Sequence, residues 1–275
     1  MTNITDWIGR EQTRVDVINA RQAELLAVTL GVEKPVEDQP LPECWHWAWF
    51  NDALPVKELG RDGHPKRGGF IPPVALPRRM WAGGSLEFVS PVIIGREIRK
   101  VSRIEAIKER EGSTGKLCIV TLAHRLYDGE ILCVDERQNL VFREDPKPGA
   151  GPAAPIEPPQ HPTHTHVINP DPVMMFRYSA LTFNGHRIHY DVDYARKVEG
   201  YPDLVFHAPL TATSLCSLAG EILGQDKPRT FTYRATAPLF CNAPVKLAGK
   251  KSGKQARVWA ETPSGSQAML AEANA

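Results

Sequence analysis

The chain has 275 residues, of which 42% are hydrophobic, and its formal net charge is +1 at pH 7. A chain of this length and composition can bury one large core or two smaller ones, which excludes a disordered protein and predicts one or two domains. Lysine and arginine are scattered, so no extended phosphate-binding surface is expected; nucleic acid is excluded as a predicted partner, whereas a small anionic ligand stays open.

The amino terminus, "MTNITDWIGREQTRVDV", has no apolar core of the kind a signal peptide needs, and no later apolar run reaches membrane-spanning length. The five cysteines are odd in number, far apart and free of CxxC spacing, which argues against a disulfide framework and a zinc ribbon. These features predict a soluble, cytoplasmic protein with no membrane partner.

The first part of the chain reads as a helix followed by strands. "RVDVINARQAELLAVTLG", residues 14–31, has apolar residues at near-helical spacing and ends on Gly31, which suits a left-handed cap. The Trp-rich "LPECWHWAWFND" is interpreted as core packing, with pocket lining as the alternative. Extended segments follow, and Asp128-Gly129 predicts a tight hairpin between the last two.

A proline-rich segment divides the chain. Nine of the 24 prolines fall between Pro146 and Pro172, where they remove backbone donors and stop helices and central strands. This segment is predicted to be an extended linker. The predicted organisation is therefore a first half at 1–145, a linker at 146–172 and a second half at 173–275.

The second half repeats the order of the first. "DVDYARKVEG" predicts a short helix, and "APLTATSLCSLAGEILG" predicts a longer one with Pro209 in its first turn and Gly224 as its stop. The longer helix has apolar or small residues nearly all round, so we expect it to be buried. Strand-like runs follow to the end of the chain. Helices followed by an antiparallel meander in each half are typical of α+β hot-dog architecture, in which a sheet wraps around a buried helix.

Two histidine groups were considered as metal ligands. His161, His164 and His166 have a suitable spacing, but prolines surround them and no carboxylate or cysteine completes a ligand shell, so they stay unassigned. His186 and His189 lack a third ligand at a recognisable distance. No metal site is therefore predicted. "GKKSGK" at 249–254 lacks the leading glycine of a phosphate loop and predicts a charged hairpin turn.

The segment from Phe183 to Pro209 carries a family resemblance. It resembles the MaoC-like (R)-specific hydratases and dehydratases, whose motif places an acidic residue five positions before a histidine, with a His-Gly pair opening the central helix. Here those positions hold Asn184, His189 and His207-Ala208. The wider run "YSALTFNGHRIHYDVDYARKVEGYPDLVFHAPLTATSL" is similar to the branch with mesaconyl-CoA hydratases and type-two hydroxyacyl-thioester dehydratases.

The resemblance implies a double hot-dog protein, with two antiparallel sheets each wrapped around a central helix, and a degenerate first half. It also implies a hydro-lyase that acts on an acyl-CoA, needs no cofactor beyond the CoA thioester of its substrate, and leaves a homodimer open. Two positions depart from the motif. Asn184 replaces the acid and cannot accept a proton, and Ala208 replaces glycine, which leaves its backbone amide unchanged.

The resemblance assigns roles to individual residues. His189 is the predicted acid/base group, with Asn184 holding the attacking water and the Ala208 amide stabilising the enolate oxygen. Arg187 is a candidate clamp for a carboxylate on the acyl group, with a surface ion pair as the alternative. Three more residues, His186, His207 and Glu199, are predicted to belong to the substrate pocket, and Glu199 or Asp191 could supply the missing carboxylate.

Three functions follow as hypotheses. The first is hydration of a branched or dicarboxylic enoyl-CoA, in its sharpest form mesaconyl-CoA to citramalyl-CoA, in itaconate-type catabolism. The second is a 3-hydroxyacyl-thioester dehydratase of fatty-acid synthesis. The third is a non-catalytic acyl-thioester binding module, suggested by the loss of the acid at Asn184.

Overall fold

The computed structural model describes residues 3–112, 115–145 and 154–275. In these ranges the strands are β1 Glu11–Val17, β2 Arg78–Phe88, β3 Glu97–Gly112, β4 Gly115–Asp128, β5 Ile131–Arg143, β6 His164–Ile168, β7 Thr230–Ala235, β8 Val245–Ser252, β9 Gln255–Glu261 and β10 Gln267–Asn274. The α-helices are α1 Ala20–Leu30, α2 Pro172–Leu181, α3 Val192–Lys197 and α4 Ala208–Leu223.

The strands of both halves belong to one antiparallel sheet. Their order is β1-β3-β4-β5-β2-β7-β10-β9-β8-β6. The halves join where β2 pairs with β7, with Gly84 opposite Tyr233. The sequence analysis expected two separate sheets, and the structure has one continuous sheet instead. The halves join because β2 and β7 would otherwise each leave an edge of unpaired backbone groups, and they satisfy these groups by pairing with each other.

Helix α4 is the buried helix that the sequence predicts. Ten of its residues are buried, and it packs on β8, β9 and β10. Pro209 lies in its first turn and Gly224 ends it with a φ of 69°. The strands wrap around α4 because they remove its apolar side chains from water on several sides at once.

The predicted helix at 14–31 is correct only for its second part. Residues 14–17 belong to β1, in which partly buried and exposed residues alternate with the period of a strand. Helix α1 begins after Asn19, whose side chain accepts a hydrogen bond from the Gln22 amide, and ends at Gly31 in the left-handed region, as predicted. It packs on α2, a helix of the second half.

The Trp-rich segment forms a 3-10 helix, Trp45–Ala48. Trp45 and Trp49 are buried in the main core, as the core-packing interpretation predicts. The fully buried Glu136 contacts this segment through Oε2, 3.2 Å from His46 Nε2, and through Oε1, which accepts a 3.0 Å hydrogen bond from Trp47 Nε1. A buried charge is thereby given partners on two sides.

The predicted linker contains a strand. Residues 146–153 lie outside the described residues, but β6 pairs along its whole length with β8, from His164 opposite Gly249 to Ile168 opposite Val245. His166 Nε2 lies 2.8 Å from Glu221 Oε2 at the surface. The Pro-rich flanks hide this strand in the sequence, yet they suit an edge position, where one side of the backbone needs no partner.

Both predicted hairpins are confirmed. Gly129 and Glu130 separate β4 from β5, and the "GKKSGK" stretch turns at Gly253-Lys254 between β8 and β9. All five cysteines are buried and free. None of the helices in the described ranges has the length and apolar composition that crossing a membrane requires.

Candidate active site

A broad cavity is lined by residues from both halves of the chain. Its lining includes His64, Arg79 and Trp81 from the first half, and Asn184, His186, His189, Glu199 and Ala208 from the second. The sequence placed the site in the second half alone. The first half therefore contributes a wall that the motif did not indicate.

The loop after α2 is held by its own backbone and by Asn184. Phe183 adopts a positive φ of 48°, and the Asn184 amide donates to the Ser179 carbonyl over 2.8 Å. Asn184 Oδ1 accepts a 3.0 Å hydrogen bond from the His186 amide. This contact closes an Asx turn and leads into a 3-10 helix, Arg187–His189. The predicted water-holding oxygen of Asn184 thus already has one donor. Its NH₂ group donates to no acceptor within the described ranges, and Asn184 lines the cavity.

His189 is buried with one ring nitrogen fixed. Its Nδ1 lies 2.7 Å from the Val205 carbonyl oxygen. A carbonyl only accepts, so Nδ1 carries the proton and Nε2 presents a lone pair. Burial lowers the pKa of His189 to about 4. At neutral pH the ring is therefore an uncharged base.

His207 supports His189 from behind and does not line the cavity. The two imidazole rings stack with centroids 3.8 Å apart. His207 Nε2 lies 2.8 Å from Ser179 Oγ, while Nδ1 is buried without a hydrogen-bond partner among the described residues. Burial, and next the charge of a protonated His189, lower the pKa of His207 well below its usual value. The expected pocket residue is thus a packing partner of the base.

A cluster of Asp62, His64 and His186 adjoins the base. His186 is a predicted pocket residue, whereas Asp62 and His64 are not predicted from the sequence. His64 Nδ1 lies 3.0 Å from Asp62 Oδ2, and the rings of His64 and His186 are 4.2 Å apart. The His186 ring is in turn 5.4 Å from that of His189. The only signal was the Asp-Gly-His turn in "RDGHPKRGG", and nothing in its spacing connects it with residues 120 positions later.

The cluster could hold a metal ion, since one ligand atom from each of its three residues lies within 4.8 Å of the others. Burial lowers the pKa of His64, and the positive charge of Arg79 lowers it further. Arg79 also contributes to the lowered pKa of His186, after burial and the two neighbouring histidines. The positive charge of Arg79 opposes a second cation at the same place. The three residues therefore supply suitable ligand atoms, but the local charge disfavours a metal ion. The absence of a metal requirement stays a prediction.

The contact between the two loops is a backbone contact. Gly63 has a φ of +86°, and a Cβ placed on it would lie 1.8 Å from the Gly185 carbonyl oxygen. The Arg187 amide donates to the Asp62 carbonyl over 2.9 Å. Glycine is required here by close approach as well as by conformation.

Arg187 lies outside the cavity lining. Its Nε and Nη2 donate to Asp191 Oδ2 over 3.1 and 2.7 Å, and Nη1 donates to the Arg61 carbonyl over 3.2 Å. Its guanidinium also covers the Tyr194 ring. The ion pair that was the alternative to a substrate clamp is the arrangement observed.

Glu199 reaches the cavity wall, but protein groups occupy both of its carboxylate oxygens. Oε2 lies 3.3 Å from Arg78 Nε, and Oε1 accepts a 3.2 Å hydrogen bond from the Tyr194 hydroxyl. These contacts favour a structural role. Ala208 is the first residue of α4, and its amide donates to no acceptor among the described residues. It lies where the positive end of the helix dipole meets the cavity.

Comparisons with known proteins agree with this geometry. A family model described as "Hydroxyacyl-thioester dehydratase type 2" matches residues 44–241. A mesaconyl-C(4)-CoA hydratase of Chloroflexus aurantiacus is 43% identical, over 96% of this chain and 95% of its own. A mitochondrial hydroxyacyl-thioester dehydratase type 2 of Schizosaccharomyces pombe is 28% identical, with 86% and 89% covered.

Solved structures match the fold. A MaoC-like dehydratase from Phytophthora capsici has a TM-score of 0.70 at 15% identity, with 99% of this chain and 97% of the other covered. A Mycobacterium tuberculosis protein described as having a double hotdog fold has a TM-score of 0.54 at 12% identity, with 97% and 96% covered. The expected double hot-dog fold is thereby confirmed. From the family match and the 43% identity, this chain belongs to the hydroxyacyl-thioester dehydratase type 2 family and is a MaoC-like hot-dog hydro-lyase.

Proposed function

We propose that this protein adds water to the double bond of mesaconyl-C4-CoA and forms citramalyl-CoA. The observation that carries the proposal is the neutral His189, whose Nε2 is left free at the cavity in a chain 43% identical to a mesaconyl-C(4)-CoA hydratase. The coarser assignment, a hydro-lyase of acyl thioesters, follows from the family. The choice of the acyl group is the proposal.

The reaction defines what the site must supply. In the C4 thioester, the carbon β to the thioester carbonyl carries both the methyl group and the free carboxylate. Water oxygen bonds to this carbon while one water proton leaves, and the π electrons move through the α-carbon onto the thioester oxygen. A proton then reaches the α-carbon and the carbonyl re-forms, so that one water molecule is consumed.

His189 acts as the base for the attacking water. Its Nδ1 hydrogen bond to Val205 fixes the tautomer and aims the Nε2 lone pair. The imidazolium formed by taking the water proton can return that proton to the α-carbon. Because burial opposes its charge, the proton is held only transiently.

Asn184 and Ala208 act on the substrate without titrating. The NH₂ group of Asn184 is a donor at the cavity, since its oxygen is bonded to the His186 amide. The Ala208 amide stabilises the negative charge on the thioester oxygen, with the dipole of α4 behind it. In this proposal no cofactor takes part beyond the CoA that carries the acyl group.

A second candidate is the dehydration of 3-hydroxyacyl thioesters in fatty-acid synthesis. The family model and the yeast relative favour it. The same residues would run the reaction in reverse, with His189 removing the α-proton. The two candidates therefore differ in the acyl chain and not in the catalytic group.

The test is the loss of enoyl-thioester absorbance on addition of mesaconyl-C4-CoA, with citramalyl-CoA identified by mass spectrometry. Mesaconyl-C1-CoA, crotonyl-CoA and a longer 2-enoyl-CoA serve as comparison substrates. We expect the C4 isomer to have the highest kcat/KM. Efficient turnover of the longer chain, with none of the C4 isomer, would establish the second candidate instead.

A further inference from the structure

We propose that Arg79, on β2, binds the free carboxylate of the acyl group and thereby selects a dicarboxylic substrate. This inference rests on the proposed function, because only an acyl group with a second carboxylate gives Arg79 a partner. It transfers to the first half of the chain a role that the sequence suggested for Arg187.

Arg79 is a cavity residue whose charge has no partner. It lines the same cavity as His186 and His189. Its backbone pairs with β5 opposite Phe142, but its guanidinium forms no hydrogen bond or ion pair with another residue of 3–112, 115–145 or 154–275. Its neighbour Arg78 is engaged with Asp145 and Glu199. Successive residues of a strand point to opposite faces, so Arg79 does not share these carboxylates.

The charge of Arg79 acts on the histidine cluster. Burial lowers the pKa of Arg79 to about 10, and Asp62 partly opposes this shift. The guanidinium therefore remains a cation at neutral pH. Asp62 attracts it but is not within ion-pair distance, since Asp62 is bonded to His64 instead. A partly buried guanidinium without a bonded anion is incompletely compensated, and a ligand carboxylate would complete it with two parallel hydrogen bonds.

The position agrees with the chemistry of the C4 thioester. In that isomer the free carboxylate is attached to the carbon that water attacks, so its receptor must lie next to the base. The rings of His189 and His186 are 5.4 Å apart, and those of His186 and His64 are 4.2 Å apart. Arg79 lines the same cavity as this row of rings, and its positive charge lowers the pKa of both His64 and His186.

Two other arginines near the cluster are already engaged. Arg67 donates to the carbonyls of Val74 and Pro77 over 2.7 and 2.5 Å, and its guanidinium covers the Phe142 ring. Arg67 therefore adds positive charge near the cluster, but its guanidinium nitrogens are already bonded and are not available to a ligand. Arg187 is held by Asp191 outside the cavity lining. Arg61 also lines the cavity, but it is exposed to solvent, whereas Arg79 is partly buried. Arg79 is therefore the partly buried arginine of the cavity that we assign to the substrate carboxylate.

The test compares two ligands that differ only in the carboxylate. Mesaconyl-C4-CoA and 3-methylcrotonyl-CoA have the same skeleton, with a carboxylate in the first and a methyl group in the second. Citramalyl-CoA and 3-hydroxy-3-methylbutyryl-CoA form the same pair among products and serve as inhibitors if the methyl substrate reacts slowly. The variants are Arg79→Gln and Arg79→Lys, with Arg187→Gln as the matched control.

We expect Arg79→Gln to raise the inhibition constant of citramalyl-CoA by on the order of 10- to 100-fold, the range for a hydrogen bond to a charged group. The constant for 3-hydroxy-3-methylbutyryl-CoA should not rise. Arg79→Lys should restore part of the difference, because it keeps the charge and loses the fork. Arg187→Gln should affect both ligands equally.

Equal losses for both ligands in Arg79→Gln, with an unchanged melting temperature, would overturn the inference and leave the proposed function standing. Loss of mesaconyl-C4-CoA hydration on chelation in the wild type, with rescue by a divalent ion, would also overturn it, because a metal in the Asp62 cluster would then be the carboxylate receptor. A wild type that is inert toward mesaconyl-C4-CoA overturns both proposals. Each failure is therefore distinguishable.

Discussion

The imidazole rings of His189 and His207 stack with their centroids 3.8 Å apart and an angle of 18° between their planes. His207 is fully buried, and among the described residues its ring hydrogen-bonds only to Ser179 on α2. The position of the base is therefore fixed by three elements: the Val205 carbonyl, the His207 ring and the 3-10 turn that carries His189 itself. Such a ring does not have to reorganise when the substrate binds.

His189→Ala should lower kcat by on the order of 10²- to 10⁴-fold, as expected for the loss of an acid/base group. Turnover of mesaconyl-C4-CoA measures it, with circular dichroism to confirm the fold. Ser179→Ala is the matched control, because it removes the hydrogen bond of His207 and leaves the Nε2 atom of His189 in place. A near-normal rate in the folded His189→Ala variant would show that His189 is structural.

The pH dependence of kcat/KM should report the buried base. Because burial lowers the pKa of His189 to about 4, the ring stays neutral and active well below pH 6.5. The rate should be flat from pH 8 to about 5 and then fall roughly tenfold per pH unit below the pKa. Rates taken within seconds of a pH jump separate this effect from unfolding. An acid limb centred near 6.5 would contradict it.

Stability should begin to fall at a higher pH than the rate does, from about pH 6.5 downward. Burial lowers the pKa of five histidines, His64, His124, His186, His189 and His207. Below pH 6.5 these rings bind protons in the unfolded chain but not in the folded chain. The stability that the neutral, buried histidines contribute is therefore complete above pH 6.5 and is lost as the pH falls. Each of these histidines should lower the free energy of unfolding by about 1.4 kcal/mol per pH unit between pH 6.5 and its pKa in the folded chain. Urea unfolding at pH 7.5 and 5.5 measures the slope, and equal stabilities at the two values would contradict it.

Arg187→Met should act through the loop and not through substrate choice. The variant loses the Asp191 ion pair and the hydrogen bond to the Arg61 carbonyl. The pair is exposed to solvent, which screens it, so its loss should lower the free energy of unfolding only slightly. Losses in kcat/KM should be equal for mesaconyl-C4-CoA and crotonyl-CoA. A loss confined to the dicarboxylic substrate would return the clamp to Arg187.

Asn184→Asp restores the acid of the family motif with almost no change of shape. The carboxylate can still accept the His186 amide, but its negative charge would lie beside the forming enolate. We expect an active wild type and a slower variant, because of repulsion and the cost of desolvating the charge. An inert wild type that gains hydratase activity with Asp would instead establish a binding module that had lost its acid.

Glu136→Gln tests the buried network of the first half. Burial alone would raise the pKa of Glu136, yet the hydrogen bond with His46 and the nearby positive charges lower it to about 2. The carboxylate is therefore charged and compensated. Replacing it with a neutral amide should reduce the free energy of unfolding by about 1–3 kcal/mol. Urea unfolding measures the change, and an unaltered midpoint would show that the charge is not needed.

Local signals account for what the sequence predicted. Helix α4 has a proline in its first turn and a glycine at its end. Asp128-Gly129 favours a tight turn between β4 and β5 whatever the neighbouring sequence. The strand at residues 14–17 resembles part of a helix in the sequence, because the spacing of Val15 and Val17 continues the apolar spacing of the helix that follows. The His189 loop was found because its groups are consecutive in the chain.

The other wall of the site could not be predicted, because its position depends on tertiary packing. Asp62 and His64 lie in a segment rich in glycine and proline, which is typical of a surface loop. Arg79 and Arg78 are adjacent basic residues with no local difference between them. Both line the cavity, and only the pairing of the strands and the docking of the two loops give Arg78 its carboxylate partners and leave the Arg79 guanidinium without one.

The contact between Gly63 and Gly185 limits how proteins of this fold can be recombined. Because two bare backbones meet there with no room for a Cβ, the two loops match in their main-chain course and not in side chains that could adapt. A chimaera that joins the first half of one protein to the second half of a relative inherits this match only if both loops have the same course. The 60–64 and 183–187 loops therefore have to be exchanged together in engineered variants.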